Sequence, residues 1–182
     1  MFGTVRLLDP VDAEHLFFIM KINNTIIVFA SRHGTTAAYA KKLLKLINGN
    51  VDLCSLDERA NSMPDMSFYD TIVIGGSIHY SKNSKLVVSF VKKNIDFLRT
   101  KRLGLFVTSF YDGDKALEQL DNAYPKELLD KAIVADYFDG EILFPKLNFF
   151  EKIVAKAVLK ADEIQPILAK SKVVDFANKL NE

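Results

Sequence analysis

Three short stretches of this chain are apolar at consecutive positions: "IIVFA" at Ile26–Ala30, "TIVIG" at Thr71–Gly75 and "LGLFV" at Leu103–Val107. A strand turns successive side chains to opposite faces, so such a run must be covered on both sides. Helices supply that cover in parallel sheets. The stretches between the runs have the matching character. Ala37, Ala40, Leu43, Leu44 and Ile47 keep helical spacing, as do Leu86, Val87, Phe90, Val91 and Ile95. The reading along the chain is strands at Asn24–Ala30, Val51–Cys54, Thr71–Gly75, Arg102–Thr108 and Ala132–Phe138. Helices are expected at Thr36–Ile47, Ser84–Leu98, Asp114–Leu120, Lys126–Lys131, Phe149–Lys160 and Val173–Leu180. Alternation of this kind predicts an α/β three-layer sandwich around a five-stranded parallel sheet.

The totals narrow the function classes. The chain has 182 residues, 49% apolar and 26% charged, with a net charge of +1. That balance is ordinary for a globular domain and argues against a nucleic-acid binder. One cysteine, Cys54, leaves no internal disulfide and no cysteine zinc site. No Ser-His-Asp order, paired carboxylates or metal-ligand spacing is present, so neither a metal nor hydrolysis is expected. No apolar run reaches the roughly 18 residues of a membrane span. Residues 1–20 have neither a basic leader nor a small-residue cleavage site and read as an extension before one domain at 21–182. A reducing, cytoplasmic setting follows from the cysteine usage.

Three loops follow strands and should open on one edge of the sheet, where such sheets bind ligands. The first is Ser31-Arg32-His33-Gly34-Thr35-Thr36. It joins a strand to a helix N-terminus, where free amides and the helix dipole favour an anion. Ser31, Thr35 and Thr36 add hydroxyls, Gly34 allows close approach, and Arg32 and His33 add positive charge. The loop has neither the Gly-Lys-Ser/Thr ending of a P-loop nor a GxGxxG pattern. The second is Gly75–Tyr80, with Gly76, Ser77, Ile78, His79 and Tyr80. The third is Thr108–Gly113, with Thr108, Ser109, Phe110, Tyr111, Asp112 and Gly113.

These residues carry a resemblance. Ser31, Gly34 and Thr36 match the T/S-x-x-G-x-T loop with which flavodoxin-like proteins hold the phosphate of FMN. "YDTIVIGGSIHYSKNSKLVVSFVKKN" at 69–94 and "FDGEILFPKLNFFEKIVAKAVLK" at 138–160 resemble the flavodoxin-domain group that contains the menaquinone-dependent protoporphyrinogen oxidases. The resemblance implies strand order 2-1-3-4-5 and bound FMN. It also implies that Gly76–Tyr80 lie along the flavin ring, with Tyr80 stacked and His79 as a donor. Thr108–Gly113 would form the other wall, with Phe110 or Tyr111 over a ring face. The connection after strand four is acidic here (Asp112, Asp114, Glu118, Asp121), where those enzymes carry basic residues.

The function implied is an FMN-binding oxidoreductase similar to the quinone-linked enzymes, with a quinone or redox partner and a porphyrinogen as candidate substrate. The alternatives are a non-enzymatic flavodoxin electron carrier and a domain that has lost FMN. The near-neutral charge counts against the carrier, and the loop hydroxyls against the loss. Lys152, Lys156 and Lys160, four apart beside an apolar stripe, allow at most a peripheral membrane contact.

Overall fold

The computed structural model describes residues 23–57, 63–79, 82–139 and 170–182. In chain order the elements are β1 (Asn24–Phe29), α1 (Thr35–Leu46), β2 (Asn50–Ser55), a 3-10 turn at Met66–Phe68, β3 (Thr71–His79) and β4 (Lys82–Asn83). There follow α2 (Lys85–Leu98), β5 (Arg102–Ser109), α3 (Gly113–Ala123), α4 (Lys126–Leu129), β6 (Val134–Asp139) and α5 (Lys170–Asn181). The sheet order is β2-β1-β3-β5-β6, all parallel, with β4 paired antiparallel to β3. Setting aside the two-residue β4, this is the expected order 2-1-3-4-5.

The consecutive apolar runs do what their pattern requires. Alternate residues of each central strand feed opposite faces. Ile26, Val28, Ile72, Ile74, Leu103, Leu105 and Val107 pack under α2 and α3 through Val87, Phe90, Val91, Ala116 and Leu120. Ile27, Phe29, Val73 and Phe106 face the other way, against Tyr39 and Leu43 of α1 and Val173, Phe176 and Leu180 of α5. On that side an aromatic cluster joins the layers: Phe106 and Phe138 lie 5.0 Å apart, and Phe176 stands edge-on to Phe138 at 5.4 Å. Such geometry adds about 0.5–1.5 kcal/mol per pair beyond burial.

Two expectations are corrected. Gly75–Tyr80 was expected to be a loop, but β3 continues through Gly75 and Gly76 to His79. Gly75, Gly76 and Ser77 pair with Phe106, Val107 and Thr108, and Ile78 and His79 turn back against Asn83 and Lys82. A glycine pair reads as punctuation. Here it answers a demand for space: a Cβ at Gly75 would stand 2.1 Å from Phe106 Cζ, and one at Gly76 would stand 1.9 Å from Asn83 Oδ1. Leu86, expected inward, is 44% exposed. It sits about 100° around the helix from Val87, which centres the buried face. The expected helix at Phe149–Lys160, the Lys152/Lys156/Lys160 stripe, the extension at 1–20 and Tyr80 lie outside the described residues. Among the described residues no helix is long and apolar enough to cross a membrane.

Candidate functional site

The loop after β1 meets the ends of β3 and β5 at the carboxyl edge of the sheet. Thr36 Oγ1 lies 3.0 Å from Thr108 Oγ1, which ties the first loop to the end of β5. The His33 ring stands edge-on to His79, centroids 5.5 Å apart, which ties the same loop to the end of β3. Residues distant in the chain thus form one rim.

The first loop leads into the start of α1. Gly34, at φ +93°, takes the left-handed region and delivers the chain into α1 without a side-chain cap of its own. Ser31 supplies the cap instead: its Oγ accepts from the Ala37 amide at 3.0 Å. Since that oxygen accepts, its proton remains available to a ligand. The first turn of α1 holds no acidic residue. Arg32 is exposed, His33 and Thr35 half-buried, and Thr36 buried beneath the loop.

One carboxylate already occupies an amide of this loop. Asp57 Oδ2 accepts from the Ser31 N–H at 2.5 Å. Parallel pairing sets Asn24 opposite Asn50 and Phe29 opposite Ser55. Two steps further, the same register sets Ser31 opposite Asp57. Reading of single segments missed Asp57, and the register of β1 on β2 was the signal that could have found it. Asp57 is a stand-in anion, and its seat fits a phosphate group to the loop.

The third segment is held largely by its own contacts. The Ser109 hydroxyl is buried, donates to Gln119 Oε1 at 2.8 Å and accepts from the Tyr111 amide at 2.9 Å. Phe110 and Tyr111 are half-buried; Tyr111 packs against the core beneath α2 and α3, with Lys115 Nζ 3.6 Å from its ring centroid. Asp112 Oδ1 accepts from the Tyr137 hydroxyl, and that hydroxyl accepts from the Gly113 amide at 2.9 Å. Lys172 of α5 lies 3.6 Å from the same carboxylate and 3.2 Å over the Tyr137 ring. The Tyr137 hydrogen bond first, with the Gly113 amide and Lys172, holds the Asp112 carboxyl below the usual range. Gln119, Tyr137 and Lys172 were not foreseen; a 3.6 spacing places Gln119 on a helix but not opposite Ser109.

On the second segment, Gly76 is buried with Asn83 filling its Cβ side, Ile78 is buried, and Ser77 and His79 are half-buried. Packing accounts for both glycines of β3. Among the described residues no group of His, Cys, Asp or Glu could hold a metal ion.

Comparison with known proteins agrees with this architecture. The family model of the flavodoxin domain matches residues 26–166. The chain is 25% identical over 153 residues to the protoporphyrinogen IX dehydrogenase [quinone] of Escherichia coli strain K12, covering 75% of this chain and 78% of that one. A flavodoxin from the domain Archaea superposes with a TM-score of 0.50 at 14% identity, over 87% of this chain and 99% of that one. The Flv1 flavodiiron core of Synechocystis sp. PCC6803 gives 0.52 at 14% identity, over 79% of this chain and 38% of that one. By the extent of the family match and the order of its sheet, the chain belongs to the flavodoxin-domain family, a membership that implies FMN as cofactor.

Proposed function

We propose that this protein is an FMN-dependent oxidoreductase that takes electrons from a small organic donor and delivers them to a quinone. The donor class suggested by the E. coli relative is a porphyrinogen. The observation that carries the reading is the single rim made where His33 meets His79 and Thr36 meets Thr108. It joins an anion-receiving helix start to the two segments that would flank a flat ring.

When bound, FMN supplies the electron chemistry, and the protein supplies position and electrostatics. Ser31, Thr35, Thr36 and the amides around Gly34 hold the phosphate, with Arg32 and His33 balancing its charge. Asp57 must leave the Ser31 amide for that. Gly76, Ser77, Ile78, His79 and Tyr80 line one side of the ring. Thr108, Ser109, Phe110, Tyr111, Asp112 and Gly113 line the other, with Tyr80 and one of Phe110 or Tyr111 against its faces. His79, beside His33, is an imidazole at this rim suited to donate a proton to the flavin or to a substrate carboxylate. A cytoplasmic protein that touches the membrane at most peripherally suits a lipid-soluble acceptor.

The visible spectrum of the purified protein, with release and mass of the chromophore, tests the cofactor. Ser31→Ala with Thr36→Ala should weaken FMN binding by about 1–3 kcal/mol, the range for hydrogen bonds to a charged group. Unchanged affinity would move the phosphate elsewhere. Turnover of protoporphyrinogen with a menaquinone analogue, with and without anionic liposomes, tests the activity.

One observation favours a second reading, that of an electron carrier: the exposed acidic run Asp112, Asp114, Glu118 and Asp121 beside the rim suits a basic partner. Absence of turnover together with rapid electron exchange with a reductase would select it.

A further inference from the structure

Two exposed helix faces carry opposite charge in the same spacing. On α2 the stripe is Lys85, Val88, Ser89 and Lys92; on α3 it is Asp114, Leu117, Glu118 and Asp121. Each runs i, i+3, i+4, i+7, one face of a helix about 10 Å long. All eight side chains are exposed, and the apolar ones conspicuously so: Val88 is 50% and Leu117 46% open to solvent. Among the described residues, the ion pairs on this side, Arg99 with Asp96 and Glu127, and Lys126 with Asp130, use none of them.

The charge segregation is regional. Residues 82–102 hold seven Lys or Arg against Asp96 alone, and residues 112–130 hold six Asp or Glu against Lys115 and Lys126. In a chain of net charge +1, the two regions nearly offset one another. Both helices cover the same face of the sheet, since Val87, Phe90 and Val91 share one core cluster with Ala116, Leu120 and Ala123. Each leads from one parallel strand to the next, α2 from β3 to β5 and α3 from β5 to β6, so they run in the same direction.

We propose that this face is the interface of a two-fold dimer of the chain, with α2 of each copy lying parallel on α3 of the other. A two-fold axis lying in the plane of the face, along the helices and midway between them, turns the two faces together, exchanges the helices and keeps their direction. Lys85 then meets the partner's Asp114, Lys92 meets the partner's Asp121, and Val88 packs beside the partner's Leu117. The contact occurs twice by symmetry, which is the self-complementarity an isologous interface requires. An acidic or basic foreign protein would satisfy one stripe and repel the other, whereas a second copy satisfies both.

Sedimentation velocity of the full-length protein as purified tests this. The wild type is expected to be a dimer at low salt. Its dissociation constant should weaken at least about tenfold near 1 M ionic strength, where screening acts over about 3 Å. K85E/K92E and D114K/D121K should each be monomeric, because each makes both contacts repulsive. Mixed in equal amounts they should restore a dimer, since both contacts of the mixed pair become attractive. Val88→Ser, a mild exposed change, should weaken the wild-type dimer with little effect on folding. Far-UV circular dichroism and melting temperature of each variant establish that it is folded. A monomeric wild type at low salt would overturn the proposal. So would a dimer that survives both reversals, or folded variants that stay monomeric when mixed.

Discussion

At the level of single residues, burial leaves a hydroxyl on β1 unrewarded among the described residues. Thr25 is fully buried on β1 and its hydroxyl has no hydrogen-bond partner. Valine has the same shape without the hydroxyl, so Thr25→Val should stabilise the fold by about 1 kcal/mol. A higher urea midpoint at unchanged slope would show it, and a lower midpoint would refute it. Gly75 carries the opposite expectation. Gly75→Ala would drive a methyl into the Phe106 ring and should cost about 1–3 kcal/mol. Phe106→Leu in the same chain should recover part of that loss, which a purely conformational role for the glycine would not allow. The glycine pair was legible as an irregularity. Its cause was not, because Phe106 and Asn83 reach it only across the sheet and the β3–β4 hairpin.

Among elements, the end of α3 is knit to β3 and β5 by a buried hydroxyl. Tyr124, just after α3, shares its one hydroxyl proton between the Phe106 carbonyl of β5 at 2.7 Å and the Ile74 carbonyl of β3 at 3.0 Å. Burial holds this phenol protonated well above its ordinary range. Tyr69 is pushed up to about 12, by burial and then by its hydrogen bond to Asp52. In the unfolded chain both ionise near pH 10. The stability they contribute is therefore complete below about pH 10 and lost as pH rises toward the folded values. Unfolding free energy should fall across that window by about 1.4 kcal/mol per pH unit for Tyr124. Tyr124→Phe should cost about 1 kcal/mol at neutral pH and remove that share of the alkaline slope. Denaturant melts at a series of pH values check both. The loop before α1 obeys the same economy of groups: Ser31 caps the helix, so Ser31→Ala should lower stability by about 0.5–2 kcal/mol whether or not FMN is present. Asp57→Asn, by contrast, should tighten FMN binding, because a neutral amide competes less with phosphate for the Ser31 N–H. Equilibrium binding followed by flavin fluorescence distinguishes the two effects.

For the molecule as a whole, the chain must reach its last helix before one layer closes. Val173, Phe176, Ala177 and Leu180 of α5 cover Phe106 and Phe138. Arg102 donates to the Leu180 carbonyl, and Asn181 bridges the Leu46 carbonyl and the Asn48 amide at the end of α1. Phe176→Ala should cost about 3–5 kcal/mol, the range for a buried ring in a packed core. A chain ending before Lys170 should lose cooperative unfolding, read as a broadened thermal transition with exposed apolar surface.

The apolar runs at 26–30, 71–75 and 103–107 by themselves determined a parallel sheet between two helical layers, because side chains of consecutive residues point to opposite faces and both must be covered. The strand-to-helix turn at Ser31–Thr36 likewise raised the expectation of an anion site, since helix amides and dipole are properties of the local backbone. Tertiary structure alone decided the rest. It carried β3 through two glycines to His79, set Thr36 against Thr108 and His33 against His79, and brought Asp57 onto the first loop amide. It turned Ser109 toward Gln119 and closed Asp112 against Tyr137 and Lys172. These are contacts between segments 10 to 72 residues apart. They depend on strand register and helix placement, which no local window of side chains encodes.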